Sequence, residues 1–167
     1  DRWLHLLYDK MYEHLLKQDI LHADETPLQV LHEPGRSAKN KSYMWLYRTG
    51  RAGPAIILFD YRTTRANKHP LQFLSGFNGH LQVDGYSGYN GLPGITLVGC
   101  WSHARRKFDE ALTALPAEKR DADVAAKQGL DFCNQLFTIE RQLKEVTPEE
   151  RYQARLKHSL PVMEAFH

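Results

Sequence analysis

Two aspartates stand on segments whose other residues have the pattern of β-strands, and this combination limits the folds that the chain can adopt. Asp24 lies within the segment His22–Leu31, and Asp84 ends an apolar segment that begins at Leu81. Charged side chains are unfavourable inside a sheet, and burial of a carboxylate without a partner is costly. Two carboxylates on neighbouring strands would repel each other unless a cation lay between them. The pair therefore indicates a site that holds two metal ions for phosphoryl transfer.

Hydrophobic periodicity predicts a helix, a meander of three strands, a short helix, two further strands and a helical remainder. The predicted elements are a helix over 1–18, strands over 20–31, 42–48 and 55–61, a helix over 67–75, strands over 79–84 and 95–100, and a helix over 101–115. Pro27 cannot donate to a ladder, so we expect a bulge or an unpaired position there. The apolar run over 55–61 predicts a strand that is covered on both faces.

The order of these elements favours a mixed α/β sheet in which the first and fourth strands are neighbours, because Asp24 and Asp84 then meet at its centre. This is the ribonuclease-H-like arrangement of five strands with flanking helices, followed here by a helical C-terminal extension. The predicted organisation is an N-terminal amphipathic helix over 1–18, a partial catalytic core over 19–115 and a helical insertion or extension over 116–167.

The last helix has a clear start signal in the sequence. Thr147 to Glu150 form a capping box with Pro148 at the first helical position, and Pro161 predicts a kink further along.

Four short segments occur in a particular order along the chain. They are Ala23-Asp24-Glu25-Thr26-Pro27, Leu58-Phe59-Asp60-Tyr61-Arg62, Leu81-Gln82-Val83-Asp84-Gly85-Tyr86, and Gly99-Cys100-Trp101-Ser102-His103-Ala104-Arg105-Arg106-Lys107-Phe108. Together they resemble the central domain of bacterial transposases of the insertion sequence sixty-six type. The resemblance extends over about residues 20–108 and continues more weakly through the helical tail.

The resemblance implies a DDE transposase, in which two aspartates and a glutamate hold two Mg²⁺ (or Mn²⁺) ions. Asp24 matches the first acid of the family and Asp84 the second. In the reaction that it implies, the ions activate water for strand nicking and then the freed 3′-hydroxyl for strand transfer. Carboxylates suit Mg²⁺ because it is a hard cation that prefers oxygen ligands.

The third acid of the family lies in a downstream Asn-Asn-x-x-Glu-Arg segment that this sequence does not contain. Glu110 and Glu140 are the carboxylates that could stand in, but neither lies in the family's motif. We therefore expect a piece of a longer transposase that binds Mg²⁺ weakly and is inactive alone. The alternatives are a remnant that binds DNA or a protein without catalysis, and another ribonuclease-H-like nuclease.

The net charge of +2 does not by itself indicate nucleic-acid binding, but the placement of the basic residues is informative. Basic loops around an acidic centre suit a polyanionic substrate that meets metal ions. Those of the first half are Arg36, Lys39, Lys41, Arg48, Arg51, Arg62, Arg65 and Lys68, and a second cluster is Arg105, Arg106 and Lys107. Each could contact DNA or be solvated surface charge. We expect DNA as the partner, a homo-oligomer in the full-length protein, no membrane, and a location in the bacterial cytoplasm at the nucleoid.

Several neighbouring residues have two readings. Glu25 points away from Asp24 in an extended strand, so we interpret it as structural. Tyr86 and Tyr89 could line the site or stack on a base, but core packing is favoured. His103 could face the active centre or a DNA phosphate, or simply begin a helix. Its Cys-x-x-His spacing with Cys100 lacks the further ligands that a zinc site needs.

Overall fold

A computed structural model describes residues 2–51, 53–120 and 124–166. The chain forms two compact units, Asp1–Cys100 and Trp101–His167, and each is considered by itself.

The first unit is built on a five-stranded mixed sheet. Its strands are β1 (Ile20–Gln29), β2 (Lys41–Thr49), β3 (Ile57–Arg62), β4 (Gly79–Val83) and β5 (Ile95–Gly99). Their order across the sheet is β3-β2-β1-β4-β5. The pairs β1–β2 and β2–β3 are antiparallel, whereas β1–β4 and β4–β5 are parallel. The fold is therefore ribonuclease-H-like, with the predicted first and fourth strands side by side.

Helices α1 (Arg2–Leu16) and α2 (Lys68–Phe73) belong to the same unit. Alternate residues of the strands, among them Leu21, Trp45 and Leu81, are fully buried in its core. Phe73 of α2 stacks on the ring of Tyr47 with centroids 3.8 Å apart. Each such apolar side chain contributes about 1.5–3 kcal/mol when it leaves water. The period of two along β1 and β2 thus decides which side chains enter this core and which remain on the opposite face.

Strand β3 differs from its prediction. Ile57, Phe59 and Tyr61 are 46%, 58% and 41% exposed, so the strand is not covered on both faces. Among the described strands it lies at the edge of the sheet and pairs with β2. A short apolar run has the same composition whether its second face is covered or open, because composition does not specify the neighbours.

The ladder at Pro27 is regular. The register between β1 and β2 runs without interruption from Leu21 opposite Thr49 to Gln29 opposite Lys41, so the bulge that we considered is absent. The pairing of β1 with β4 covers only residues 20–22. Pro27 therefore lies where β1 has a neighbour on one side alone, and its missing N–H is tolerated there.

The second unit is helical, with α3 (Trp101–Thr113), α4 (Ala125–Gln142), α5 (Pro148–Ala154) and α6 (Leu160–Phe166). The ring of Phe166 meets the rings of Trp101, Phe108 and Phe132 edge-on at 5.6–6.0 Å. None of the helices in the described part of the chain combines the length and apolar character needed to cross a membrane.

The start of α5 confirms the predicted capping box. The Thr147 side chain accepts from the backbone N–H of Glu150, and the Glu150 carboxylate accepts from that of Thr147. Further along, residues 155–159 form a π-helical turn directly before α6. Pro161 removes a backbone donor and crowds the preceding turn, so the widened turn accommodates it. The irregularity thus lies before the proline and not at it.

Candidate active site

The parallel pairing of β1 with β4 determines the relation between the two aspartates. Ile20, Leu21 and His22 stand opposite His80, Leu81 and Gln82. Continued by two residues, this register would bring Asp24 level with Asp84. Asp24 lies on the face opposite to Leu21 and the core, and Asp84 follows the last residue of β4, at the carboxyl end of the neighbouring strand.

Asp24 lies within β1, and Asp84 directly follows the end of β4. Asp24 is exposed, and its Oδ1 accepts the backbone N–H of Glu25 at 2.9 Å. β4 ends at Val83, and the Oδ1 of Asp84 accepts the backbone N–H of Tyr86 at 2.8 Å. Gly85 between them has φ +90°, a conformation that other residues adopt only with strain. The Asp84 side chain remains 27% exposed, so it is accessible to a ligand.

Glu25 occupies the opposite face, as predicted, and its side chain is only 1% exposed. Its Oε1 accepts from Nε of Arg65 at 2.6 Å and also from Nη2 of that guanidinium. Its Oε2 accepts from the hydroxyl of Tyr89 at 2.5 Å. Burial raises the pKa of Glu25 overall, although these hydrogen bonds act to lower it. A partly shielded ion pair thus lies directly behind the strand that carries Asp24.

Arg65, the cation of this ion pair, also lies close to the second aspartate, Asp84. Its guanidinium carbon lies 3.5 Å from the centre of the Tyr86 ring, and its Nη2 lies 4.0 Å from Oδ2 of Asp84. The Tyr86 hydroxyl donates to the carbonyl oxygen of Arg65 at 2.7 Å. The sequence had identified Arg65 only as one of many basic loop residues, because its partners lie about 20 and 40 positions away and no local pattern joins them.

Tyr89 has the predicted core position and is fully buried. Its ring meets that of Trp45 edge-on at 5.6 Å. Tyr86 is half-buried and packs on both Arg65 and Tyr89. Each tyrosine therefore has a packing role next to Asp84.

On the face of the sheet that holds Asp24, His22 lies two residues before that aspartate. Burial lowers the pKa of His22, and the nearby charge of Arg48 acts in the same direction, whereas a hydrogen bond with Gln82 opposes both. The imidazole therefore favours its neutral form at pH 7 and adds little positive charge beside the carboxylates.

The other predicted site residues belong to the second unit. His103 is half-buried in the first turn of α3, and Arg106 is exposed. Nε of Arg105 donates to the side-chain oxygen of Asn134 at 2.8 Å. Lys107 forms an exposed ion pair with Glu110 at 3.2 Å. The structure thus groups the basic residues on one helix of this unit, and their contact with DNA stays a prediction.

A model of the family described as Transposase IS66 family matches residues 1–167, which is the whole chain. The chain belongs to the transposase IS66 family.

Curated relatives of this family member are longer than the chain. An uncharacterized protein of Sinorhizobium fredii, y4jD, is 31% identical over 177 residues, which cover 96% of this chain and 33% of the relative. A second, y4qI, is 34% identical over 120 residues, which cover 63% of this chain and 22% of the relative. The chain therefore spans about a third or less of the relatives that it matches.

A solved structure also matches this family member. It is the HTLV-2 integrase catalytic core domain in complex with magnesium (trimeric form), at 12% identity and a TM-score of 0.39. The match covers 82% of this chain and 95% of that one.

The side-chain chemistry of Asp24 and Asp84 in this IS66 family chain fits Mg²⁺ or Mn²⁺. Asp24 and Asp84 supply carboxylate oxygens, and proteins commonly hold Mg²⁺ through one or two carboxylates together with substrate phosphates. No group of three His, Cys, Asp or Glu side chains that could hold a metal ion occurs among residues 2–51, 53–120 and 124–166. Glu110 pairs with Lys107, and Glu140 accepts two hydrogen bonds from Arg155 at 2.6 and 2.7 Å. The two aspartates thus fit as an incomplete set of ligands.

Proposed function

We propose that this chain is part of the catalytic domain of a DDE DNA transposase, and that Asp24 and Asp84 are two of its three metal ligands. The observation that supports the proposal is the parallel pairing of β1 with β4 over residues 20–22, a register that would bring the two carboxylates side by side if it continued by two residues. Membership of the transposase IS66 family supports the same reaction class.

The two aspartates would hold the divalent ions through hard oxygen ligands, at an edge of the sheet that a nucleic-acid strand can approach. Two bound Mg²⁺ ions supply activation of the attacking oxygen and stabilisation of the leaving oxygen. Asp24 and Asp84 would hold the ions, and the ions would bind the scissile phosphate at this edge of the sheet. The Asn-Asn-x-x-Glu-Arg segment that carries the third ligand in the family does not occur in these 167 residues.

The substrate that we propose is DNA, as transposon ends and target, held by a homo-oligomer of the longer protein in the bacterial cytoplasm. Arg105, Arg106 and Lys107 place positive charge on successive positions of α3. Contacts of this kind bind the phosphate backbone without reading sequence, and they weaken as salt rises.

The test uses the longer protein that contains this chain, with DNA that carries the transposon ends. We expect Mg²⁺-dependent cleavage that Asp24→Asn and Asp84→Asn each abolish. Asp19→Asn is the control, because Asp19 is an exposed aspartate that immediately precedes β1, at the end of the strand away from the site. Cleavage that persists in both aspartate variants would refute the site, and an unsubstituted protein that binds ends without cutting them would indicate a non-catalytic remnant.

The chain alone gives a second measurement. With two protein ligands we expect weak Mg²⁺ binding in a calorimetric titration, because the third ligand and the substrate phosphates are missing. Tight stoichiometric binding by the 167-residue chain would show that the set of ligands is already complete.

A further inference from the structure

The segments that carry the two aspartates are joined behind the sheet by the ion pair of Glu25 and Arg65. Glu25 is the chain neighbour of Asp24, and Arg65 contacts the loop that begins at Asp84. We propose that Glu25 and Arg65 are positioning residues that fix both aspartates for metal binding. This proposal rests on the function proposed above, in which the aspartates are metal ligands.

The contact of Arg65 with Glu25 is geometrically specific. Nε and Nη2 of one guanidinium both donate to Oε1, while the other carboxylate oxygen accepts from Tyr89. The Glu25 side chain is 1% exposed, so water competes little for these bonds. Two hydrogen bonds from different nitrogens of one guanidinium hold this planar group in one orientation. Since Glu25 cannot rotate without breaking these bonds, the backbone of Asp24 beside it is held as well.

The loop after β4 is fastened to the segment around Arg65 by further contacts. The guanidinium lies against the ring of Tyr86, and the Tyr86 hydroxyl donates to the carbonyl oxygen of Arg65. Two residues on, the side-chain amide of Asn67 donates to the carbonyl oxygens of Gly88 and Asn90 at 2.8 and 3.0 Å. These bonds fix the backbone from 86 to 90, and Asp84 accepts a hydrogen bond from its first residue.

Charge alone does not account for this arrangement. Arg65 lies 4.0 Å from Asp84, but its positive charge is matched by Glu25 at hydrogen-bond distance. The ion pair of Glu25 and Arg65 has a net charge close to zero. It therefore does not repel an incoming metal ion strongly, and it does not neutralise the two aspartates in place of a metal ion. Removal of both charges together therefore leaves the net charge near the aspartates unchanged while it removes the fixed geometry.

The experiment is a Mn²⁺ titration of the 167-residue chain, followed by paramagnetic broadening of the backbone amides of Asp24, Gly85 and Tyr86. The charge-conserving variant Glu25→Gln/Arg65→Gln should bind Mn²⁺ about tenfold more weakly, as is typical when groups that orient metal ligands are removed. Arg65→Lys should bind similarly weakly, because an ammonium keeps the charge but not the fork or the flat stacking surface.

Asp60→Asn/Arg62→Gln is the matched control, because it also removes both charges of one ion pair and leaves the net charge unchanged. Arg62 also lies in an ion pair, with Nε at 2.7 Å from Asp60, and its side chain is 31% exposed against 37% for Arg65. The Mn²⁺ affinity of this control should equal that of the unsubstituted chain. Circular dichroism and the melting temperature verify that each variant is folded at the temperature of the titration, so a lowered affinity is not the result of unfolding.

The outcomes separate the two proposals. If Asp24→Asn and Asp84→Asn do not alter the broadening, the metal site itself is wrong. If they abolish it while Glu25→Gln/Arg65→Gln binds Mn²⁺ as well as the unsubstituted chain, the site stands and the positioning role is refuted. If Glu25→Gln/Arg65→Gln binds weakly but Arg65→Lys binds normally, the role of Arg65 is that of a charge and the positioning proposal is again refuted.

Discussion

Replacement by phenylalanine should have opposite effects on stability at two fully buried tyrosines of the same core. The hydroxyl of Tyr47 is buried and has no hydrogen-bond partner among the residues that the structure describes. The hydroxyl of Tyr89 is equally buried but donates to the Glu25 carboxylate at 2.5 Å. Burial raises the pKa of both phenols. Tyr47→Phe and Tyr89→Phe each delete a single oxygen atom, so the local environment decides the sign of the result.

The magnitudes follow from the partners. An unsatisfied buried hydroxyl costs about 1–3 kcal/mol, so Tyr47→Phe should increase the free energy of unfolding by about 1 kcal/mol while it keeps the stacked contact with Phe73. A hydrogen bond to a charged group is worth about 1.5–3 kcal/mol, so Tyr89→Phe should lower the free energy of unfolding by about 2 kcal/mol. The difference of about 3 kcal/mol corresponds to melting temperatures that differ by about 6–12 °C in a chain of this length.

Urea unfolding of the two variants and the unsubstituted chain, followed by tryptophan fluorescence, measures the effect. The midpoints should move in opposite directions at an unchanged denaturant slope. A Tyr47→Phe variant less stable than the unsubstituted chain would show that the Tyr47 hydroxyl is satisfied, and a Tyr89→Phe variant more stable than that chain would show that its bond to Glu25 does not stabilise; either result would refute the reasoning.

Three further predictions concern pH, close packing and capping. Burial, together with the charges of Arg62 and Lys68, lowers the pKa of His69. The neutral imidazole therefore contributes fully to stability above about pH 6.5, the value in the unfolded chain, and this contribution is lost as the pH falls. Below about pH 6.5 the unfolding midpoint of His69→Gln should therefore depend less on pH than that of the unsubstituted chain. A methyl group on Gly79 would lie 2.5 Å from the carbonyl oxygen of Asp19, a backbone atom, so Gly79→Ala should destabilise the start of β4 by about 1–3 kcal/mol in urea unfolding. Thr147→Ala removes the cap of α5 and should cost about 1 kcal/mol, visible as faster amide exchange in its first turn.

The sequence was sufficient for features that depend on local periodicity. The alternation in β1 predicted that Asp24 and Glu25 face opposite sides of the sheet, and their exposures agree. The capping box at Thr147 depends on residues three positions apart, and it is present as predicted. The element order favoured the sheet topology, and the four segments that resemble the transposase family selected it among the mixed folds with five strands.

Features that depend on distant partners could not be predicted. The contact between Glu25 and Arg65 joins positions 40 residues apart, and nothing near either residue indicates the other. The exposure of Phe59 depends on whether another element covers β3. An apolar run in the sequence does not indicate whether such an element is present. The widened turn over residues 155–159 is the response of a helix to Pro161, whereas the proline alone shows only that some disturbance must occur.

The register between β1 and β4 also limits how relatives of this chain can differ in length. One residue inserted or deleted between Gly79 and Asp84 would move Asp84 out of register with Asp24 and would reverse the face on which the following residues lie, because side chains alternate along a strand. The connections before β2 and β3 are free of this constraint, since longer surface loops cost little. Natural insertions and deletions should therefore accumulate around residues 30–40 and 50–56 and be absent from β4. Among relatives, the length of that short strand should vary less than the identity of its residues.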